Sequence, residues 1–256
     1  MEFVKGGLYT IASDFQYFII TGLKTLPLTM GGTLLVIGLF VGNLSMLFFL
    51  VGLLLITPFI VFIINLIGSG FMDENTSDWI KNLFAKDRNV CNVITGIDGI
   101  TSKGDPTNIM VVSYWMAMSS FLIGYLLTNA GSLYIKPTLY PPSSDEKDAS
   151  TYGIKYDPNA KAKADAGTAN RKSQTLIGLI ALLVLLIIVI YLRVWDSCDG
   201  PVSIIVGLLF GFLGLGWYFT LARVGDDRLS DLFGIANRLM TPAALDNAPY
   251  ACLPQS

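Results

Sequence analysis

The sequence predicts an all-α membrane protein with about five transmembrane helices and an N-terminal amphipathic helix at the membrane interface. Hydrophobic residues make up 53% of its 256 residues and charged residues only 14%, whereas a soluble domain carries about 25% charged residues. Residues 25–72 contain no charge, and further apolar stretches lie at 106–135, 174–192 and 201–222. A bilayer is crossed by about 20 apolar residues in a helix, so each stretch is long enough for at least one span.

The stretch 25–72 predicts two helices rather than one. A single helix of that length would run about 72 Å, but the hydrocarbon core is about 30 Å thick. We therefore predict a transmembrane hairpin over 26–70, with spans at 26–42 and 45–68. The turn is expected at Gly42-Asn43-Leu44-Ser45, because Gly and Asn favour turns and Asn or Ser caps a following helix. Pro58 should kink the second span.

The other apolar stretches predict three further spans. We place the third at 108–130, within the segment 107–135. A second hairpin over 174–222 has spans at 174–192 and 201–222, and Pro201 fits the first position of a helix. Three segments then lie outside the membrane: a loop at 71–106, a hydrophilic loop at 136–173 and a tail at 223–256.

Residues 1–25 predict an amphipathic helix that lies in the membrane interface. Apolar side chains recur there at three- and four-residue spacing, which places them on one helix face. They are Val4, Leu8, Ile11, Phe15, Phe18 and Ile19. A sixth span is the alternative, and Asp14 disfavours it.

Composition also restricts the chemistry. The chain has no His, which excludes Ser-His-Asp and Cys-His centres. We predict no enzymatic activity, no cofactor and no metal site. The net charge of −2 argues against nucleic-acid binding, which needs clustered Lys and Arg. The five predicted spans contain no charged residue, which argues against a coupled transporter.

Lys and Arg are distributed unequally between the two predicted sides. The side with the N-terminus and the 71–106 loop has seven, and the side with the 136–173 loop and the tail has ten. Positive residues favour the cytoplasmic side, so the N-terminus is expected on the non-cytoplasmic side. Cys91 and Cys198 then share an oxidising side and form a candidate disulfide. The alternative is that all three cysteines are free thiols.

Small residues at four-residue spacing predict close helix packing. Gly38 and Gly42 have this spacing in the first span, and Gly207 and Gly211 in the fifth, where Gly214 adds another small residue. Such residues allow helix backbones to approach closely in lipid. The pattern is compatible with packing inside one bundle and with homo- or hetero-oligomerisation.

The last 100 residues resemble a family of membrane proteins. The run Tyr156–Ala160, the run Asn170–Gln174 directly before a span, and the tail Asn247–Pro254 are similar to polytopic inner-membrane structural proteins of large icosahedral DNA viruses. The resemblance implies a location in the virion inner membrane and contacts with minor capsid proteins. It carries over no catalytic residue.

The sequence thus predicts an integral, multi-pass membrane anchor whose partners are the lipid bilayer and an adjacent layer of membrane or capsid proteins. The candidate contact residues lie on the loop and the tail; they are Tyr156, Asp157, Arg171, Lys172 and Tyr250. One alternative is a small passive channel or transporter with a pore lined by Thr57, Asn65 and the glycines of the fifth span. Another is an accessory subunit of a larger membrane complex.

Overall fold

The structure is a computed structural model that describes residues 22, 25–69, 77–86, 109–138, 140, 142–151, 153 and 155–232. Its helices are α1 (Leu26–Val41), α2 (Leu44–Val51), α3 (Thr57–Ser69), α4 (Asp78–Lys81), α5 (Tyr114–Ile135), α6 (Glu146–Thr151), α7 (Ala160–Trp195) and α8 (Pro201–Ser230). Two short strands, β1 (Ala85–Lys86) and β2 (Ile109–Met110), pair antiparallel with Ala85 opposite Met110. The described residues therefore form a helical fold with one two-residue ladder.

Three of the described helical segments are long and apolar enough to cross a membrane. They are Leu44–Gly68, Ala160–Trp195 and Pro201–Gly225. The predicted number of five is therefore confirmed only in part. The first predicted span forms α1, whose 16 residues extend about 24 Å, less than the hydrocarbon core. The third forms α5, which has 22 residues but does not reach the hydropathy of the other three.

The turn between α1 and α2 lies where the Gly-Asn pair predicts it. Gly42 ends α1 in the left-handed region at φ 69°, which a glycine adopts without strain. Asn43 caps α2, and its side-chain oxygen accepts a hydrogen bond from the N–H of Ser45 at 3.0 Å. The two helices thus form the predicted hairpin.

The second predicted span is interrupted by a π-helical turn at Gly52–Ile56, between α2 and α3. Pro58 lies two residues after the end of this turn and has no N–H to continue the helical ladder. Thr57 donates both its backbone N–H and its hydroxyl to the carbonyl of Gly52, the latter at 2.8 Å. The irregularity that Pro58 predicts therefore takes the form of a wider helical turn with satisfied hydrogen bonds.

Helix α5 is the centre of the bundle. Twelve of its 22 residues are buried, and it packs against α2, α3, α7 and α8. Tyr125 lies 4.7 Å from Phe49 and 5.5 Å from Tyr218, measured between ring centroids. Because several helices pack against α5, its Ser119, Ser120 and Asn129 side chains are buried in the bundle. This position explains why it has a lower hydropathy than the outer helices.

Helix α7 is longer than the sequence predicts. It has 36 residues and begins at Ala160, so the last part of the predicted 136–173 loop is helical and continuous with the fourth span. The Lys/Ala-rich run forms this part because both residues favour helices. The predicted N-terminal amphipathic helix lies almost entirely outside the described residues, and Cys91, Tyr250 and Cys252 lie outside them.

Candidate functional site

A buried ion pair lies at the turn between α7 and α8. The Nε of Arg193 donates to Oδ2 of Asp199, and the two residues are 7% and 6% exposed. Ser113 donates to the same oxygen at 3.2 Å, and Ser203 donates to Oδ1 at 2.8 Å. The guanidinium also lies over the ring of Trp115, 5.1 Å from its centroid. Both charges are thus paired and further hydrogen-bonded, which buried ions require.

Three helix ends bring these side chains together. Arg193 lies in the last turn of α7, where a cation is stabilised by the helix dipole. Asp199 lies just before α8, where a carboxylate is stabilised in the same way. Ser113 is the N-cap of α5 and accepts a hydrogen bond from the N–H of Met116 at 3.2 Å. The electrostatics of the helix ends and of the ion pair therefore agree in sign.

Backbone contacts fix the surrounding segments, and we call residues 83–86, 109–113 and 193–203 together the turn cap. The N–H groups of Gly200 and Val202 donate to the carbonyls of Phe84 and Leu83, both at 3.0 Å. A Cβ at Gly200 would collide with the backbone of Leu83, so glycine is required for this approach. The turn cap therefore closes one end of the bundle.

An amide side chain links this cap to α3. Asn65 donates to the carbonyl of Val112 at 3.0 Å and accepts from the N–H of the same residue at 3.1 Å. Thr57 bonds to the carbonyl of Gly52. Thr57 and Asn65, the two polar side chains of the predicted pore lining, therefore both make hydrogen bonds inside the protein. The passive-channel alternative thus gains no support from these residues.

Cys198 belongs to the turn cap, is 1% exposed and is disulfide-bonded. The other cysteines of the chain, Cys91 and Cys252, lie outside the described residues. The predicted pairing of Cys91 with Cys198 therefore stays a prediction. The disulfide adds a covalent constraint directly beside the ion pair.

The geometry of the turn cap is that of a structural lock. Both hydroxyls of the cluster donate to Asp199, whose charge is compensated by Arg193. Among the residues that the structure describes, no group of three His, Cys, Asp or Glu side chains could hold a metal ion. What the cluster does chemically is to hold the ends of α5, α7 and α8 together.

The opposite end of the bundle carries a second polar structure, which we call the loop platform (described residues of 136–173). Tyr140 donates its hydroxyl to Oδ1 of Asp165 at 3.0 Å, and this hydrogen bond raises the pKa of the Tyr140 phenol. Within the loop platform, Ala149 and Ser144 are buried. The N–H of Asp157 donates to the carbonyl of Ser143 at 3.0 Å. The loop is thus folded against the first turns of α7.

Asp157 organises the start of α7. Its Oδ1 accepts a hydrogen bond from the N–H of Asn159 at 2.9 Å, and its Oδ2 pairs with Lys163 at 3.0 Å. The N–H of Asn159, with a further contribution from Lys163, lowers the pKa of the Asp157 carboxyl below its usual value. This candidate contact residue therefore also has a role within the chain.

The remaining candidate contacts occupy different environments. Arg171 is only 3% exposed, and its Nη2 donates to the carbonyls of Lys136 and Pro137 at 2.5 and 3.4 Å. It thereby caps the C-terminal end of α5 and presents little surface to a partner. Tyr156 is 45% exposed. Lys172 is exposed, with its ammonium 5.8 Å from the centroid of the Tyr134 ring.

The glycines predicted to mediate packing lie at helix contacts within the chain, with Gly42 at the turn instead. A Cβ at Gly38 would be 3.1 Å from the Cβ of Met46 on α2. The three glycines predicted on α8 all face α5. Gly207 faces Met116, and Gly211 faces the carbonyl of Ser120. Gly214 faces the carbonyl of Phe121.

Sequence reasoning missed the Arg193–Asp199 pair. Arg193 directly follows the predicted fourth span, and Asp199 lies between the predicted fourth and fifth spans. The available signal was the presence of opposite charges at both ends of a short turn between two spans. Because the pair depends on how the helices cross, the sequence alone does not show that it is buried.

Comparison with known proteins identifies no family. No family model matches the chain, and no curated protein or solved structure matches it either. The fold and the site therefore define the class of protein by themselves. The described part of the chain is a helical bundle in which three helices are long and apolar enough to cross a membrane, with the turn cap at one end and the loop platform at the other.

Proposed function

We propose that the chain is an integral, multi-pass membrane protein that anchors an adjacent protein layer through its loop platform. The proposal includes five membrane-crossing segments. Three are the long apolar helical segments Leu44–Gly68, Ala160–Trp195 and Pro201–Gly225, and the other two are α1 and α5. If the resemblance to viral proteins holds, the membrane is the virion inner membrane and the layer is a capsid.

The length of α7 is the observation that carries the proposal. Its 36 residues extend about 54 Å, whereas the hydrocarbon core is about 30 Å thick. The apolar part is Thr175–Leu192, and the preceding residues 160–174 are rich in Ala and contain three Lys, one Arg and one Asp. The helix therefore projects about 20 Å beyond the membrane core as a direct continuation of a span.

The projecting part is held rigid by the chain itself. Arg171 bonds it to the end of α5. Asp165 accepts a hydrogen bond from Tyr140 of the loop, and Lys163 donates to Asp157. A preordered surface loses less conformational entropy when a partner binds. This favours a docking surface over a flexible linker.

The outward surface of the platform has the composition of a contact site. Tyr156 is exposed among the exposed Lys155 and Lys161. An exposed aromatic residue can anchor an interface, because Tyr is enriched among the residues that dominate binding energy. The surrounding lysines favour a partner with acidic groups.

Two independent features support the same orientation. The side with more Lys and Arg, which carries the platform, is expected to be cytoplasmic. The disulfide-bonded Cys198 lies at the other end, and disulfides persist in oxidising compartments. We therefore propose that the platform faces the cytoplasmic side of the membrane.

Co-purification tests the proposal. The protein is solubilised gently from its native membrane, and its companions are identified and quantified by mass spectrometry. We expect a coat protein in a stoichiometric amount, lost when Tyr156→Ala is combined with Lys161→Glu. Trp79→Ala is the matched control, because Trp79 is 72% exposed on the turn-cap side. A protein recovered alone contradicts the proposal, and solute flux in liposomes would then favour the passive channel.

A further inference from the structure

An apolar groove of about 860 Å³ lies on α5 between α7 and α8. Its floor is formed by α5 from Ser120 to Ile135. Leu186 of α7 forms one wall, and Phe212 and Phe219 of α8 form the other. The groove is partly open to the surface, on the side where α7 and α8 expose their apolar side chains. It therefore opens toward lipid rather than toward water.

The dimensions of the groove suit a hydrocarbon chain. Fifteen residue steps along α5 correspond to about 22 Å, whereas one leaflet of the hydrocarbon core is about 15 Å thick. The floor contains the small residue Gly131, whereas Gly124 packs against the backbone of Gly211 on α8. A Cβ at Gly131 would meet nothing within 4 Å, so the space above it is empty of protein atoms. An extended acyl chain fits this shape.

One end of the groove is positively charged. Lys136 lines it directly. Arg171 donates to the carbonyl of Lys136, which brings Lys172 of α7 to the same end. The ammonium of Lys172 lies over Tyr134, and a Tyr side chain is typical of the headgroup level of a bilayer. The nearest described acid on α7, Asp165, lies about two turns away and accepts from Tyr140.

We propose that this groove binds one anionic phospholipid from the leaflet on the platform side. The acyl chain lies along α5, and the phosphate contacts Lys136 and Lys172. Cations at the headgroup level attract anionic lipids, and the apolar walls contact the acyl chain by van der Waals packing. This lipid site is separate from the proposed protein anchor, because its ligand is a lipid and not a protein partner.

Lipid retention tests the site. The full chain is reconstituted in nanodiscs with equal amounts of phosphatidylglycerol and phosphatidylcholine, transferred to detergent, and examined by native mass spectrometry. We expect one retained lipid per chain, with a preference for phosphatidylglycerol on the order of fivefold. Equal retention of the two lipids overturns the proposal, because a groove without charge recognition would not discriminate.

Two matched pairs of variants separate the groove from the rest of the surface. Gly131→Leu fills the groove and should abolish retention, while Gly216→Leu should not. A Cβ at Gly216 also meets nothing within 4 Å, but this residue is outside the groove. Lys136→Gln with Lys172→Gln should remove the preference, while Lys155→Gln with Lys161→Gln should keep it. Wild-type retention in Gly131→Leu overturns the site, whatever the co-purification shows.

Discussion

Arg193 and Asp199 form an ion pair that closes the turn between α7 and α8, and both side chains are buried. Their charges complement each other and the helix ends on which they lie. Because Ser113 on α5 also donates to Asp199, the pair connects three helices. The stability of the turn cap therefore depends on one carboxylate.

Removing that carboxylate should destabilise the protein strongly. Asp199→Ala removes the buried carboxylate that Arg193, Ser113 and Ser203 contact, and breaking a buried ion pair in this way costs about 3–5 kcal/mol. The measurement is thermal unfolding in detergent, followed by circular dichroism. The double variant Arg193→Met with Asp199→Leu should recover much of the loss, because paired removal leaves no uncompensated charge.

The exposed pair of Asp157 and Lys163 provides the control. Asp157→Ala should lower the melting temperature far less, because solvent screens an exposed pair. If Asp199→Ala shifts the melting temperature no more than Asp157→Ala does, the lock described here is wrong.

The contact between α5 and α8 should be sensitive to a single methyl group. Gly214 faces the carbonyl of Phe121 too closely for a Cβ, so Gly214→Ala should destabilise by about 1–3 kcal/mol through overpacking. Gly216→Ala on the same helix meets open space and should be neutral or stabilising by up to about 1 kcal/mol. The free energies of unfolding are measured by chemical denaturation. Equal changes for the two variants would contradict the close contact between α5 and α8.

The start of α7 should respond to acid. The pKa of Asp157 is lowered by the N–H of Asn159 and by Lys163, so its stabilising contribution is present above the unfolded value of about 3.9. This contribution is lost as the pH falls through the folded-state pKa. In an NMR titration the amide of Asn159 should shift with a midpoint below 3.9, and Asp157→Asn should abolish the shift. A titration midpoint at or above the ordinary Asp pKa would contradict the proposed stabilisation of the Asp157 carboxylate.

The disulfide of Cys198 gives a chemical prediction. In the unreduced protein an alkylating reagent should modify Cys252 and leave Cys198 intact. Cys198→Ser should make Cys91 newly reactive, as the predicted pairing requires. Peptide mapping that finds Cys252 newly reactive instead would assign the bond to the tail.

Local signals in the sequence predicted the local parts of this fold. Gly42 and Asn43 specify the first turn through a positive φ and an N-cap, and both effects act within a few residues. Pro201 at the start of α8 is similar. Such features need no knowledge of the neighbouring helices, so the sequence shows them directly.

Features that depend on neighbouring helices were harder to predict. Polar side chains in α5 lower its hydropathy because they face protein, and only the packed bundle shows this. The continuity of α7 from Ala160 into the fourth span was not predicted, because the polar residues 160–173 lack the apolar character of a span. Arg171 was predicted to contact a partner, but it lies buried against α5.

Site-specific photocrosslinking in the native membrane tests the proposed anchor most directly. A photoreactive aromatic residue replaces Tyr156 on the platform, Trp79 on the turn-cap side, or Tyr191 on the apolar surface of α7. All three side chains are exposed. The account predicts a crosslinked coat protein from position 156, lipid adducts from position 191, and no coat protein from position 79. Lipid adducts alone at position 156, or the same coat protein from position 79, would contradict it.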